Sequence, residues 1–476
     1  MGIEHAREAR GPLEAAVRAD AKCQKAQAGL GVVLSQTQEW GLSIPPLEAA
    51  MALEPTDEAS LLVLVDSYTW TAGWRRLRGT NHLVRGIFVR EIAGVSPKQP
   101  NMDQINPDNE TPTIDFHYPF VSLKMHLAMA MRRSQHYHKK GIKEAKKEKI
   151  ALSPQGTLQG QKAAGKVTGK LKVIYMSSKF RNHGLSHLVS SMFKHHDRTR
   201  FEIICVAIAK DDLGTPYRPR IKATVDHFIE ADTLSQPRLA ERLQEIQGHV
   251  LNDLDGLTRG HKPQALSLQP LPVQTNTMEY PGSIGAAYIQ YMTTDILTGP
   301  PPIMREGYSE KASYMPWTYF ANSYHHHFGK IEETSRRSGL VRPVEGAAVI
   351  ASSFNQFYKM DPTTYRVWMN ALRRSKAGYL WLIAYNVEGV RNLEKETSSH
   401  GLATERVIFS PTADKPVHLA RIMAADFSVD TLKCNGLTTT TDTLFFSVPG
   451  ITMPYHKMAE RAAASIAKAS LPYVIT

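Results

Sequence analysis

Four consecutive threonines, Thr438 to Thr441, stand between the turn "KCNG" and the apolar run "LFFSVPG", with Asp442 directly after them. A strand "FSVDTL" that closes in a Gly turn, followed by a helix starting at the threonines, is the local reading. The first turn of a helix has unpaired N–H groups and the positive end of the dipole. Threonines there cap the helix and add hydroxyl donors, so the segment suits a phosphate. Asp442, one turn on, would be repelled by phosphate at contact distance but can accept bonds from ribose hydroxyls. A Thr-capped helix with no ligand has the same appearance.

Two further segments share that layout. In "SSFNQFYKMDPTTYRVWMNAL" (352–372), polar Asn355 and Gln356 follow a strand, Lys359 sits in the turn, and Asp361-Pro362 opens a helix. Lys359 could neutralise a diphosphate as a point charge, or be an exposed surface lysine. In "FSPTADKPVHLARIM" (409–423), Lys415, His418 and Arg421 recur at intervals of three and share a helix face. Lys415 and His418 could clamp a flat ring and Arg421 could reach a phosphate; a basic face in a basic protein is the plain alternative. In the first half, "YMSSKFRNHGLSH" (175–187) places His183 and His187 in and after a turn, and "QGHVLNDLDGLTRG" (247–260) puts His249 at a strand start with Asp253 and Asp255 at its end. Asp-x-Asp is a shape used for divalent metals, but so short that chance produces it often. "EYPGSIG" (279–285) reads as a Gly-rich turn and "HHH" (325–327) as a loop tract.

The elements that must position these residues come in three textures. Residues 1–70 are Ala-, Leu- and Glu-rich with helical periodicity, and "LEAAMALEPTDEAS" resembles the second helix of a tetratricopeptide repeat, a remnant or cap rather than a solenoid. Residues 71–155 continue as helices around a Pro/Asn/Asp-rich loop, and 156–170 is a Lys/Gly/Gln-rich linker. Strand-like runs then alternate with amphipathic helices over 171–335 ("LKVIYMSS", "FEIICVAIA", "HVLNDLD", "YIQYMTTD"). They alternate again over 336–476 ("AAVIASSF", "YLWLIAYN", "RVIFSP", "FSVDTL", "LFFSVPGITMP"). This is an α/β pattern of two doubly wound domains facing one another, with ligands expected beyond the carboxyl ends of the strands.

The 476 residues, 42% of them apolar, can form several cores. No uninterrupted apolar stretch reaches the roughly 18 residues of a membrane span, and the charged start "MGIEHAREARG" is not a secretory signal. Cys23, Cys205 and Cys434 lie far apart without metal or disulfide spacing, which points to cytosol or nucleus. Much of the net charge of +12 sits in 138–170, where lysines mix with glutamates and aromatics are scarce. That is a solvated helix and linker more than a nucleic-acid arm.

Taken together, "FHYPFVSLKMHLAMA", "YMSSKFRNHGLSHL", "EYPGSIGAAYIQYMTTD", "YSEKASYMPWTYF", "FNQFYKMDPTTYRVW", "RVIFSP", "CNGLTTTTDTL" and "MAERAAAS" resemble the catalytic region of the O-linked N-acetylglucosamine transferases, from about Trp70 to residue 470. The resemblance implies two Rossmann-like lobes of GT-B type and inverting transfer of GlcNAc from UDP-GlcNAc to Ser or Thr hydroxyls of proteins, without a metal or other cofactor. It implies that Gln356 and Lys359 bind the donor, that the backbone at Thr412 and Ala413 reads uracil, and that Lys415 and His418 sandwich it with Arg421 alongside. By the same resemblance Thr438 and Thr439 hold the β-phosphate and Asp442 the ribose. His183 matches the family's active-site His, and His249 a second His proposed as base.

Four departures stand out. Leu437 replaces the His of "CNGHTT", removing a polar donor contact, and Thr440 and Thr441 have differently shaped counterparts. Asp253 and Asp255 stand where animal members have Asn. The long tetratricopeptide superhelix and the animal insert between lobes are nearly absent. After "SLPYVIT" the family's further helices, which complete the second lobe and cross back to the first, are expected to be missing, as in a truncated or decayed copy. The rival readings are the plant O-fucosyltransferases, which use GDP-fucose on the same scaffold, and a non-catalytic UDP-binding scaffold. The sequence leaves the protein targets and oligomeric state open.

Overall fold

The computed structural model of the chain describes residues 3–54, 57–74, 121–151, 169–328 and 342–470. The stretch 75–120 with its Pro-rich loop, 156–168 of the expected linker, and 329–341 at the expected lobe boundary lie outside the described residues.

Two parallel sheets follow from the two alternating sets. The first has β1 (Leu171–Ser177), β2 (Phe201–Ala207), β3 (His227–Glu230), β4 (Val250–Asp253), β5 (Val273–Asn276), β6 (Tyr291–Asp295) and β7 (Lys311–Met315), in the order β3-β2-β1-β4-β5-β6-β7. The second has β8 (Val349–Ser353), β9 (Gly378–Ala384), β10 (Val407–Pro411), β11 (Phe427–Val429) and β12 (Gly450–Ile451), in the order β10-β9-β8-β11-β12. Helices cover both faces, so a central strand such as β2 is buried from Ile203 to Ala207 rather than alternating. The strand order reverses between β1 and β4 in the first lobe and between β8 and β11 in the second. Ligands of doubly wound sheets bind at such reversals.

β3, β5 and β7 escaped the sequence reading because "HFIE", "VQTN" and "KASYM" are short and polar; their pairing comes from neighbouring strands. "LFFSVPGITMP" is a correction in the other direction. Leu444 and Phe445 finish the helix Thr438–Phe445, Ser447 turns with φ 60°, and only Gly450–Ile451 pairs, exposed at the sheet edge.

The N-terminal helices Ile3–Ala19, Gln24–Gln36, Trp40–Leu53 and Glu58–Trp70 pack in series and lean on the second lobe. There the Trp70 ring meets Tyr358 at 4.3 Å, while Asn386 and Asn392 donate to the Trp70 and Thr71 carbonyls at 3.0 and 2.9 Å. The helix Leu123–Lys147, capped by Ser122, packs on the first lobe through Ser134 Oγ, which donates to the Ile284 carbonyl at 2.5 Å. At the other end, the helix Ala462–Ser470 crosses back to the first lobe. Ser465 Oγ donates to Asp295 Oδ2 at 2.7 Å and Arg461 Nε to the Leu297 carbonyl at 2.5 Å. The last described helix thus bonds to the first lobe as well as packing on the second. No helix among the described residues is long and apolar enough to cross a membrane.

Candidate active site

The second lobe's reversal point is built on Asp430, at the end of β11. Its Oδ1 accepts from Asn355 Nδ2 at 3.1 Å, from the Thr431 N–H at 2.9 Å and from the Gly436 N–H at 2.7 Å. Gly436 is needed here, because a Cβ would stand 2.8 Å from Asn355 Oδ1. Burial dominates these donors and pushes the Asp430 carboxyl up to about 6. The turn after β8 brings Lys359 alongside, held in place because Asp361 caps the next helix through the Thr364 N–H at 2.8 Å. Lys359 Nζ donates to the Asn435 carbonyl at 3.0 Å. Burial pulls its pKa down, yet Cys434, Tyr358, Asp430 and Glu279 around it leave it raised, so it stays an ammonium. Gln356 is half-buried at the start of the same turn, and its side-chain amide has no hydrogen-bond partner among the described residues.

The threonines do less capping than their sequence promised. The N-cap is Leu437, half-buried against the apolar core, without a side-chain bond. Thr440 and Thr441 hydroxyls turn back to the Gly436 and Leu437 carbonyls at 2.6 and 3.1 Å, and Thr439 Oγ1 donates to Asn355 Oδ1 at 2.9 Å. Back-bonding of this kind is the usual fate of hydroxyls inside a helix. What the segment offers an anion is therefore the backbone N–H groups of its first turn, with the Thr438 hydroxyl beside them.

One turn on, buried Asp442 gathers the basic helix face. Lys415 Nζ donates to its Oδ1 at 2.5 Å and His418 Nε2 lies 3.5 Å from its Oδ2. Burial pushes the Asp442 carboxyl up, but Lys415 and His418 outweigh it and hold the group below the usual carboxylate range. Lys415 also stands over the Tyr324 and Phe328 rings of the first lobe, at 5.3 and 5.9 Å. Lys415 and His418 thus meet through Asp442, not as two free jaws. Thr412 and Ala413 lie exposed in the loop before this helix. Arg421 departs from expectation: its guanidinium donates to the Pro411 carbonyl at 2.8 Å and closes that loop instead of reaching toward the helix start.

In the first lobe, the turn after β1 carries His183. It caps the helix Gly184–Val189, with Nδ1 accepting the Leu185 N–H at 3.1 Å, and its Nε2 lies 4.0 Å from Glu279 Oε1. Enclosure lowers its pKa below the usual imidazole value, with Glu279 opposing, so the ring is neutral at pH 7. Gly184 abuts Thr438 across the cleft, which sets His183 opposite the helix start. His249 is a correction. Its Nδ1 accepts from the Lys172 N–H at 2.9 Å at the amino edge of the sheet, and the strand Val250–Asp253, roughly 10–13 Å long, separates it from the carboxyl edge. It faces away from the cleft and cannot take a proton there.

The Asp-x-Asp pair holds a turn. Asp255 accepts from Ser177 Oγ at 2.5 Å and the Ser178 N–H at 2.8 Å, with buried Lys179 at 3.6 Å, and Asp253 accepts the Asp255 and Gly256 N–H groups at 3.1 Å. Lys179 keeps Asp255 ionised, while burial beside it drives Asp253 up toward the neutral acid. Of the His tract, His326 pairs with Lys194 at 2.9 Å, and no metal-holding group occurs among the described residues. Asn355 was read only as a polar residue after a strand, and Asp430, Tyr324 and Glu279 were not singled out in the sequence. Glu279 had a signal, an acid directly before the turn "YPGSIG" at the end of a strand.

The model of glycosyl transferase family 41 matches residues 117–339 and 334–473, which together hold both lobes of this cleft. The chain belongs to glycosyl transferase family 41. Among family relatives, a probable UDP-N-acetylglucosamine–peptide N-acetylglucosaminyltransferase SEC of Arabidopsis thaliana is 35% identical over 304 residues, 63% of this chain and 31% of that protein. A UDP-N-acetylglucosamine–peptide N-acetylglucosaminyltransferase of Caenorhabditis elegans is 26% identical over 404 residues, 62% of this chain and 35% of that protein. The chain spans about a third of the length of these curated relatives. A solved structure of a Thermobaculum terrenum O-GlcNAc transferase mutant superposes with a TM-score of 0.72 at 19% identity, covering 98% of this chain and 84% of that one. This family 41 chain therefore has the two-lobed GT-B type fold, with N-terminal helices docked on its second lobe.

Proposed function

We propose that this chain is a protein O-GlcNAc transferase, passing N-acetylglucosamine from UDP-GlcNAc to Ser and Thr hydroxyls with inversion. The carrying observation is the joint placement of the Lys359 ammonium, the first turn of Thr438–Phe445 and the Asp442–Lys415–His418 cluster around one reversal point. Uridine ribose hydroxyls bond to Asp442 and the base lies by Lys415 and His418. The diphosphate meets Lys359 and the N–H groups at Thr438 and Thr439, with Gln356 available to the sugar. The leaving UDP gains charge as the anomeric bond breaks, and fixed positive groups at that spot are the larger part of such catalysis. We assign that neutralisation to Lys359 and the helix start. Free cysteines, two of them buried, favour a cytosolic or nuclear site of action.

Calorimetric titration with UDP, UDP-GlcNAc and GDP-fucose, followed by transfer to a Ser/Thr peptide, tests the reading. UDP-GlcNAc binding with peptide glycosylation supports it. Preference for GDP-fucose moves the chain to fucosyl transfer, and nucleotide binding without transfer leaves a scaffold.

A further inference from the structure

The transfer proposed above requires a group that takes the proton of the acceptor hydroxyl, and His183 is the first candidate. Its geometry argues against that role. A backbone N–H can only donate, so the bond from the Leu185 N–H occupies the lone pair of Nδ1. In the neutral ring the proton is then on Nε2, which lies 4.0 Å from Glu279 Oε1, just outside direct hydrogen-bond distance. His183 has a hydrogen to give toward Glu279 and no lone pair left with which to accept one.

Glu279 has what His183 lacks. It sits on the turn after β5, with its own N–H donating to the Leu254 carbonyl at 3.3 Å. The residue before it, Met278, holds φ at 78°, a left-handed conformation that a non-glycine residue adopts only where its surroundings enforce it. The Glu279 side chain keeps 23% of its surface exposed. Its charge is felt by Tyr319 in its own lobe and by Tyr358 and Lys359 across the cleft, so it lies between the lobes. Lys179, Arg181 and Asp255 also face His183. Asp255 and Asp253 are fully committed to Ser177, Ser178 and the turn N–H groups in a buried position, which leaves Glu279, among the described residues, as the carboxylate beside His183 with access to the cleft.

We propose that Glu279 is the general base of this chain, oriented by the Nε2–H of His183; the proposal rests on the reading of the site as a glycosyl transferase. The acceptor oxygen forms its bond to the anomeric carbon as the bond from that carbon to the diphosphate oxygen breaks. The electron pair of that bond leaves with UDP, and the hydroxyl proton passes to a Glu279 carboxylate oxygen, from which solvent removes it.

The test uses the full chain and the variants Glu279→Gln and Glu279→Asp, with a Ser/Thr peptide or azide as acceptor. Azide has no proton to lose and so needs no base. Glu279→Gln should lower kcat with peptide about 10²–10⁴-fold. UDP affinity, donor KM and thermal midpoint should stay near wild type, and azide should still be glycosylated at close to the wild-type rate. Glu279→Asp should fall between. Peptide transfer by Glu279→Gln within about threefold of wild type overturns the proposal. So does loss of peptide and azide transfer together with UDP binding intact, the result of a merely structural role. Nitrogen chemical shifts placing the His183 proton on Nδ1 also overturn it, independently of turnover. A wild-type chain that binds no UDP sinks the underlying reading instead, and this base with it.

Discussion

Gly184 of the first lobe and Thr438 of the second touch across the cleft so closely that a Cβ on Gly184 would stand 3.0 Å from Thr438 Oγ1. The two residues open the helix that His183 caps and the helix proposed to receive the diphosphate, so this contact sets how far apart the two half-sites are. Gly184→Val should wedge the lobes, at an overpacking cost of about 1–3 kcal/mol. The donor KM should rise about tenfold or more while the separate sheets stay folded by circular dichroism. An unchanged KM would mean that the lobes close without this contact.

Lys359→Ala should abolish measurable transfer, a loss on the order of 10²–10³-fold or more in kcat, with the thermal midpoint little changed. Among the described residues the lysine bonds only a carbonyl of the Asn435 turn, so the fold has little to lose with it. Turnover equal to wild type would refute its place at the diphosphate.

Asp430 gives a pH signature. Its folded pKa of about 6 stands above the unfolded carboxylate value near 3.9, so the folded state binds the proton more tightly. Its contribution to stability is greatest below about pH 4 and is lost as pH rises to about 6, an effect on the order of 2–3 kcal/mol. Relative to wild type, Asp430→Asn should therefore gain stability between pH 4 and 7 and show a flatter midpoint over that range in thermal scans. A parallel pH dependence in both proteins would refute the raised value.

Leu437 stands at the N-cap of the helix Thr438–Phe445, proposed above to meet the diphosphate, without a polar side chain. Leu437→His should strengthen UDP binding by the worth of one added hydrogen bond, about 0.5–1.5 kcal/mol. Calorimetry that returns equal or weaker affinity would show that this position does not face the nucleotide.

Much was legible in the residues themselves. Unbroken apolar runs such as "IICVA" (203–207) declare buried parallel strands, because only a strand covered on both faces can be apolar at every position. Asp361-Pro362 declares a helix start by its own chemistry, and the Gly turn before the threonines locates a helix N-terminus beyond a strand. These signals are local, carried by a few neighbours along the chain. They sufficed for the two-lobed α/β class and for placing Lys359 and His183 in turns after strands and Asp442 on a helix that follows one.

What distance decides was not legible. His249 and His183 are alike as sequence, each beside a strand, but one lies at the amino edge and the other at the carboxyl edge of the same sheet. Arg421 shares a helix face with Lys415 and His418, yet the nearby Pro411 carbonyl claims its guanidinium. The threonine hydroxyls promised donors, but the carbonyls of Gly436 and Leu437 took two of them and the Asn355 side chain a third. Glu279 stood unremarked in a turn until packing brought it beside a histidine some hundred positions earlier. Sequence determines which groups exist and which strand or helix carries them, because those choices depend on near neighbours. Which groups meet, which are spent on the fold, and which stay free for chemistry depend on contacts between residues remote in the chain, and only the packed tertiary structure settles those.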